Sequence, residues 1–304
     1  MKLGLMSAAL PQMSLAQLAQ WAGKNGFGML ELACWPVSKA ERRYAGVTHI
    51  DVTTLTKAKA SSIRSLMRKH DLGISSLGYY PNPLHPDLAH RAMVIEHLKK
   101  VIVAAEVLGV PIVGAFVGRD KDKTLEANFD QFAKVWPTIV GFAADHGIKI
   151  AIENCPMLFS NDEWPGGNNL AITPAAWRRM FEIIPAANFG LNLDPSHLLW
   201  QMIDYERAVY DFRDRIFHVH AKDMEINQEG LYQHGVMSAG MGWQIPRLPG
   251  LGQVNWARFI AALYAIGYDY VLSIEHEDRA FEKTEALVKR GFFIARDALR
   301  PYLH

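Results

Sequence analysis

The sequence predicts an α/β protein, one closed barrel of eight parallel strands wrapped by helices, on three observations. First, short apolar runs suited to buried strands recur at residues 2–6, 29–33, 74–77, 112–117, 148–153, 189–194, 216–220 and 270–275. Second, amphipathic helical patterns alternate with them, over residues 14–24, 53–70, 88–108, 124–146, 173–184, 256–266 and 282–299. Strict alternation calls for a parallel sheet. Third, eight such units in 304 residues match a (β/α)8 TIM barrel better than an open doubly wound sheet. An open sheet would carry a Gly-rich phosphate loop after the first strand, and none is present. Pro249-Gly250-Leu251-Gly252 lacks a strand–helix context and reads as a turn. No linker or composition break divides the chain, so residues 1–304 are expected to form one domain.

Taken in order, the first run (Met-Lys-Leu-Gly-Leu-Met) superficially resembles a signal peptide. It is short and leads straight into a helix pattern, so it reads as the first strand. Ser14 and the pair Thr173-Pro174 mark helix starts, with Pro174 at the first helical position. Helices end at Gly26, Gly73, Gly109, Gly147 and Gly267, where glycine accepts the left-handed closing conformation. Two connections are long, residues 155–172 after the fifth strand and 224–255 after the seventh. On a barrel both lie over the C-terminal face, where long loops line a substrate site.

Composition excludes several classes. The formal net charge is +1 with charges well mixed, and Arg42-Arg43 and Arg178-Arg179 are too small to form a nucleic-acid footprint. No apolar run approaches a transmembrane helix. The only cysteines are Cys34 and Cys155, which predicts packing roles and a reducing, cytoplasmic setting.

Four strands close on groups able to bind a metal. Alternation along a strand puts Ile148, Ile150 and Ile152 on one face and Ala151 and Glu153 on the other. By the same rule Asp194 shares a face with Asn192, His220 with His218 and Lys222, and Glu275 with Ser273. The large apolar faces would pack on helices, so Glu153, Asp194, His220 and Glu275 would point inward at C-terminal strand ends. Three carboxylates converging in a barrel mouth repel one another unless a cation intervenes. One divalent ion resolves the conflict; three oxygens and an imidazole suit Mn²⁺ first, with Mg²⁺, Co²⁺ or Zn²⁺ accommodated. His197 can face the same cavity, as a substrate contact or an additional ligand rather than a capping or core histidine. His218, one layer deeper, reads as a buried histidine bonded within the barrel. Lys222 either pairs with Asp223 at the rim or reaches the substrate. His276, Glu277 and Asp278 read as loop polarity supporting Glu275, and Trp164 and Trp243 as apolar walls.

The segments Ile-Glu-Asn (152–154), Leu-Asp-Pro-Ser-His (193–197), His-Val-His-Ala-Lys-Asp (218–223), Leu-Pro-Gly-Leu-Gly-Gln-Val-Asn-Trp (248–256) and Ser-Ile-Glu-His-Glu (273–277) resemble the sugar phosphate isomerase/epimerase family, of the xylose isomerase-like TIM barrel group. The resemblance implies that Glu153, Asp194, His220 and Glu275 hold one divalent metal and that His197 contacts a small sugar. It implies an isomerase or epimerase acting on a keto sugar or polyol-derived ketone. The metal would chelate a carbonyl and its neighbouring hydroxyl and stabilise an enediolate, with Glu153 and Glu275 removing and returning the proton. Ketose 3-epimerases of the family usually carry an arginine shortly after the metal histidine; here Ala221-Lys222-Asp223 stands, a departure from the tagatose and psicose type. The stretch containing Glu163 and Trp164 resembles a branch without assigned activity, and both join Lys222 and His197 as substrate-binding candidates.

The same site would serve a lyase on 3-keto-glycosides, C-glycosides included. An endonuclease IV-like repair enzyme shares the fold but needs more histidines for its multinuclear zinc site. A non-catalytic binding subunit would not need a complete ligand set. A homo-oligomer or a partner subunit is compatible with the chain.

Overall fold

The computed structural model describes residues 1–37, 44–158, 167–236 and 242–303. Their strands are β1 (Lys2–Met6), β2 (Met29–Ala33), β3 (Gly73–Gly78), β4 (Ile112–Ala115), β5 (Lys149–Glu153), β6 (Phe189–Leu193), β7 (Ile216–Ala221), β8 (Asp223–Ile226), β9 (Gln244–Arg247) and β10 (Val271–Ile274). Eight of them close in the order β1-β10-β7-β6-β5-β4-β3-β2, all parallel, while β8 and β9 pair antiparallel outside. The (β/α)8 TIM barrel expected from the alternation is therefore the observed fold. The helices are α1 (Leu15–Lys24), α2 (Lys57–Lys69), α3 (Leu88–Leu108), α4 (Leu125–Asp145), α5 (Pro174–Ile183), α6 (Pro195–Leu199), α7 (Tyr205–Asp211), α8 (Gln228–His234), α9 (Trp256–Ala265) and α10 (Glu285–Leu299).

Local chemistry fixes the helix ends. Ser14 and Gln17 form a reciprocal capping box at α1. Thr173 caps α5 with Pro174 in its first turn. Gly109 closes α3 at φ 72°, as expected of a glycine there. At the end of α2 the left-handed residue is Asp71 (φ 55°), not Gly73, which instead starts β3. Helix α2 begins at Lys57 rather than 53, because the Thr56 hydroxyl caps it by accepting from Lys59 N.

The two faces of each barrel strand part as alternation requires. Phe189 of β6 packs outward on Phe132 and Trp136 of α4 and on Phe181 of α5, with ring centroids 5.7–6.0 Å apart. Burying such a side chain stabilises the fold by about 1.5–3 kcal/mol. The inward faces of β2, β3, β6 and β7 carry polar side chains. A hydrogen bond from Ser75 of β3 to His218 Nε2 of β7 (3.1 Å) crosses the barrel interior. The parallel register slips by one residue between Leu30 and Glu31, so Glu31 pairs with Ser76. It slips again between Leu191 and Asn192. Such slips re-aim side chains, and both fall beside the polar interior.

Strand β7 runs almost directly into the β8–β9 hairpin, with α8 at its far end, so part of the expected 224–255 loop is ordered structure. Asp223 holds it. One carboxylate oxygen accepts from Met224 N and Val254 N (both 2.8 Å), the other from Gly250 N (3.1 Å) and Trp256 Nε1 (2.8 Å). Asp223 thus turns away from Lys222, which sets aside the rim ion pair, one of the two readings the sequence left open for Lys222. Asp223→Ala is expected to cost about 3 kcal/mol in urea unfolding, because buried donors lose a charged acceptor. Unchanged stability would contradict this account of the hairpin.

Candidate metal centre

Glu153 ends β5, and Asp194 follows β6 as the cap of α6, its Oδ1 accepting from Ser196 N at 2.8 Å. Asn154 ties the two strand ends together, donating to Asp194 O (2.9 Å) and accepting from Asp194 N (2.8 Å). Asn169 donates to Glu153 O at 2.9 Å from the following loop. His220 lies in β7 and Glu275 just beyond β10. Ligand-type atoms of Glu153, Asp194, His220 and Glu275 all lie within 4.8 Å of one another, and all four residues are buried.

These atoms form a candidate cation site. Glu153 Oε1, Asp194 Oδ2 and His220 Nδ1 are buried and make only ion-pair contacts within the cluster and with Lys222, none a hydrogen bond of good geometry. His220 Nδ1 stands 3.3 Å from Glu153 Oε1 and 3.5 Å from Glu275 Oε2. The donor set, three carboxylates and one imidazole, is one that divalent ions accept. By geometry and by donor chemistry, the residues fit such an ion.

Lys222 is one compensating charge inside the protein. His220 is another: burial opposes its charged form, but Glu31, Glu153 and Glu275 hold it well above the ordinary imidazole value. The Lys222 side chain is 1% exposed, and Nζ lies 2.7 Å from Glu275 Oε2 and 3.2 Å from both Asp194 Oδ2 and Glu277 Oε2. Burial opposes the ammonium, but Glu275, Glu277 and Asp194 outweigh it and hold the group well above the ordinary lysine value. Burial also pushes the Glu275 carboxyl up, yet Lys222 and His220 pull it well below the usual range. Glu153 is farther from the ammonium, 4.0 Å; burial and the Glu275 charge raise it to about 7.

His197, in α6, faces the same cavity: Nε2 is 3.5 Å from Asp194 Oδ2 and 3.8 Å from Glu153 Oε1. Burial holds this imidazole well below its ordinary value, so it stays neutral. A cavity of about 440 Å³ opens above these groups. Trp35, Tyr80 and Phe116 line one side, and Trp200, Met224 and Pro246 line another.

A sequence model described as the xylose isomerase-like TIM barrel matches residues 19–296. The chain belongs to this family. The uncharacterized protein YfiH of Bacillus subtilis (strain 168) is 25% identical over 309 aligned positions, covering 91% of this chain and 93% of YfiH. Among solved structures, IolI protein with a bound zinc atom is 18% identical with a TM-score of 0.72, covering 100% of this chain and 99% of IolI. The apo form of the 3-keto-D-glucoside 4-epimerase YcjR from E. coli is 16% identical with a TM-score of 0.68, covering 99% and 98%. At these identities the structures share the fold.

In this xylose isomerase-like barrel several expected positions change. Glu163 and Trp164 lie outside the described residues. Trp243 does not line the cavity; it stacks edge-on behind Trp200, with centroids 5.9 Å apart, and Trp200 meets the cavity instead. His276 packs on Phe292 at 5.3 Å, and Asp278 caps a 3-10 turn and accepts from Leu248 N. Glu277 reaches the cluster through Lys222, 3.2 Å from its Nζ. Glu31 and Tyr80 were missed altogether. Glu31 is buried in the middle of β2, where the Tyr80 hydroxyl donates to Oε1. Burial pushes its carboxyl up, but His220 and then His218 more than reverse this and bring it down to about 2. The available signal was an acid set within the apolar run Met-Leu-Glu-Leu-Ala.

Proposed function

We propose that this chain is a divalent-metal-dependent isomerase or epimerase of a keto sugar or polyol-derived ketone, moving a proton on the carbon next to the carbonyl. The observation that carries the reading is the convergence of Glu153, Asp194, His220 and Glu275 within 4.8 Å at the barrel mouth. These four would hold the cation, Mn²⁺ being the first choice for their donor set. When bound, such a cation polarises a substrate carbonyl and makes the neighbouring C–H more acidic.

The proton chemistry falls to the chain. Glu153 and Glu275 come from β5 and from the end of β10, separated in the barrel by β6 and β7. One carboxylate takes the proton and the other returns it from the opposite side, which changes the configuration or the position of the carbonyl. Neutral His197 offers a hydrogen bond to a substrate hydroxyl, and the Lys222 ammonium one to a substrate oxygen. Trp35, Tyr80 and Phe116 give the C–H face of a sugar an apolar wall and exclude water. Two similar folds support this reading: YcjR is an epimerase of a keto-glucoside, and IolI holds a zinc atom.

Elimination is the second reading, favoured by Lys222. If the next carbon carries a leaving group, an acid must protonate it, and a buried ammonium stands 2.7 Å from Glu275. Aglycone released from a 3-keto-glycoside would select this lyase.

The deciding experiment is a panel of keto sugars in D2O with Mn²⁺-loaded protein, read by NMR for deuterium next to the carbonyl. Exchange with at least one sugar, abolished by EDTA, is expected. No exchange with any of them at a filled metal site would sink the proton-transfer reading.

A further inference from the structure

We propose that Glu31 is a positioning residue for His220, fixing which imidazole nitrogen faces the cluster of carboxylates and so strengthening its hold on a divalent cation. The inference rests on the metal reading given above. Glu31 is fully buried, on the side of the barrel away from β5 and β6. A charged carboxylate persists in such a place only when paired and hydrogen-bonded. The register slip between Leu30 and Glu31 accompanies its turn into the interior.

There its Oε2 lies 2.8 Å from His220 Nε2 and 3.2 Å from Ser273 Oγ, and Tyr80 holds Oε1. An ionised carboxylate only accepts, so the imidazole nitrogen facing it carries the proton. The imidazole form that binds a cation is neutral and has one N–H. With that proton on Nε2, the lone pair sits on Nδ1, the atom facing Glu153 and Glu275. A metal-binding nitrogen needs this lone pair, so Glu31 selects the tautomer the cluster requires. Asn192 Nδ2 also lies 3.0 Å from Nε2, farther than the Glu31 carboxylate at 2.8 Å, and it has a second acceptor for its protons. It donates to the Tyr80 hydroxyl (3.1 Å), and its Oδ1 accepts from His218 Nδ1 (2.9 Å).

Glu31, His218 and His220 also bring three ligand-type atoms within 4.8 Å. Each of those groups already has hydrogen-bond partners, and a cation there would have to break the Nε2 contact. The filled bonding set marks a support for His220 rather than a second cation site.

The test is calorimetric titration of metal-stripped protein with Mn²⁺, comparing the unaltered chain with Glu31→Gln, and thermal unfolding of both as a check of folding. The glutamine amide brings a donor, which can meet Nε2 and move the imidazole proton to Nδ1. Affinity is expected to fall by roughly 10–100-fold at unchanged stoichiometry. Equal affinity in the two proteins overturns the proposal while leaving the metal reading intact. Absence of Mn²⁺ binding by the unaltered chain overturns the metal reading, and this proposal with it. If Glu31→Gln does not fold, ¹⁵N NMR of the Mg²⁺-loaded unaltered chain decides. A proton on His220 Nε2 supports the proposal, and a proton on Nδ1 overturns it.

Discussion

Glu153→Gln is expected to lower kcat/KM by roughly 10²–10⁴-fold, the range associated with loss of a positioned acid or base. The substitution keeps the shape of the side chain, so packing at the end of β5 survives. What goes is the charge. Glu153 Oε1 is buried, 3.3 Å from His220 Nδ1 and 4.0 Å from the Lys222 ammonium. An amide there cannot take a proton from carbon. It is also a weaker ligand, so the assay belongs at saturating Mn²⁺, where the expected loss lies mainly in kcat. Deuterium incorporation from D2O should fall in parallel. A variant that exchanges as fast as the unaltered chain would remove Glu153 from the proton-transfer step.

Lys222→Met should have the largest effect on stability. Without metal, the Lys222 ammonium lies within 4.0 Å of carboxylate oxygens from Glu153, Asp194, Glu275 and Glu277. Methionine fills a similar volume and leaves those charges facing one another. Removing one partner of a buried ion pair costs about 3–5 kcal/mol, so the metal-free variant should unfold at markedly lower urea concentration. A cation then replaces what the ammonium supplied. Ligand binding to the folded state adds about 2.7 kcal/mol at a hundred times Kd. Loss of the competing ammonium should also tighten Mn²⁺ binding, so Mn²⁺ should stabilise Lys222→Met more than the unaltered chain. Equal stability of the two metal-free proteins would show that the cluster does not depend on this charge.

The four convergent residues were legible because a parallel strand has a period of two, and each sits at or one residue beyond the end of an apolar run. Once Phe189 and Ile150 are assigned to the helix-facing side, Asp194 and Glu153 must look inward. The same rule placed Lys222 on the face of His220. It could not show that Asp223 turns away, because the β8–β9 hairpin is set by contacts with Gly250, Val254 and Trp256, distant in sequence. Glu31 escaped because it lies in mid-strand, and its meaning comes from His220, 189 positions later. Trp200 meets the cavity in place of Trp243 for a similar reason: which indole does so depends on how the hairpin folds back over α6.

The central claim is that Glu153, Asp194, His220 and Glu275 form one divalent-cation site. The most direct measurement is calorimetric titration of metal-stripped protein with Mn²⁺, beside Asp194→Asn. Asp194 is suited to the comparison because Oδ1 is held by Ser196 N and only Oδ2 faces the cluster. The account predicts one ion per chain for the unaltered protein and a large loss of affinity in Asp194→Asn, with both proteins folded. No binding by the unaltered chain, or binding that Asp194→Asn leaves untouched, would contradict it.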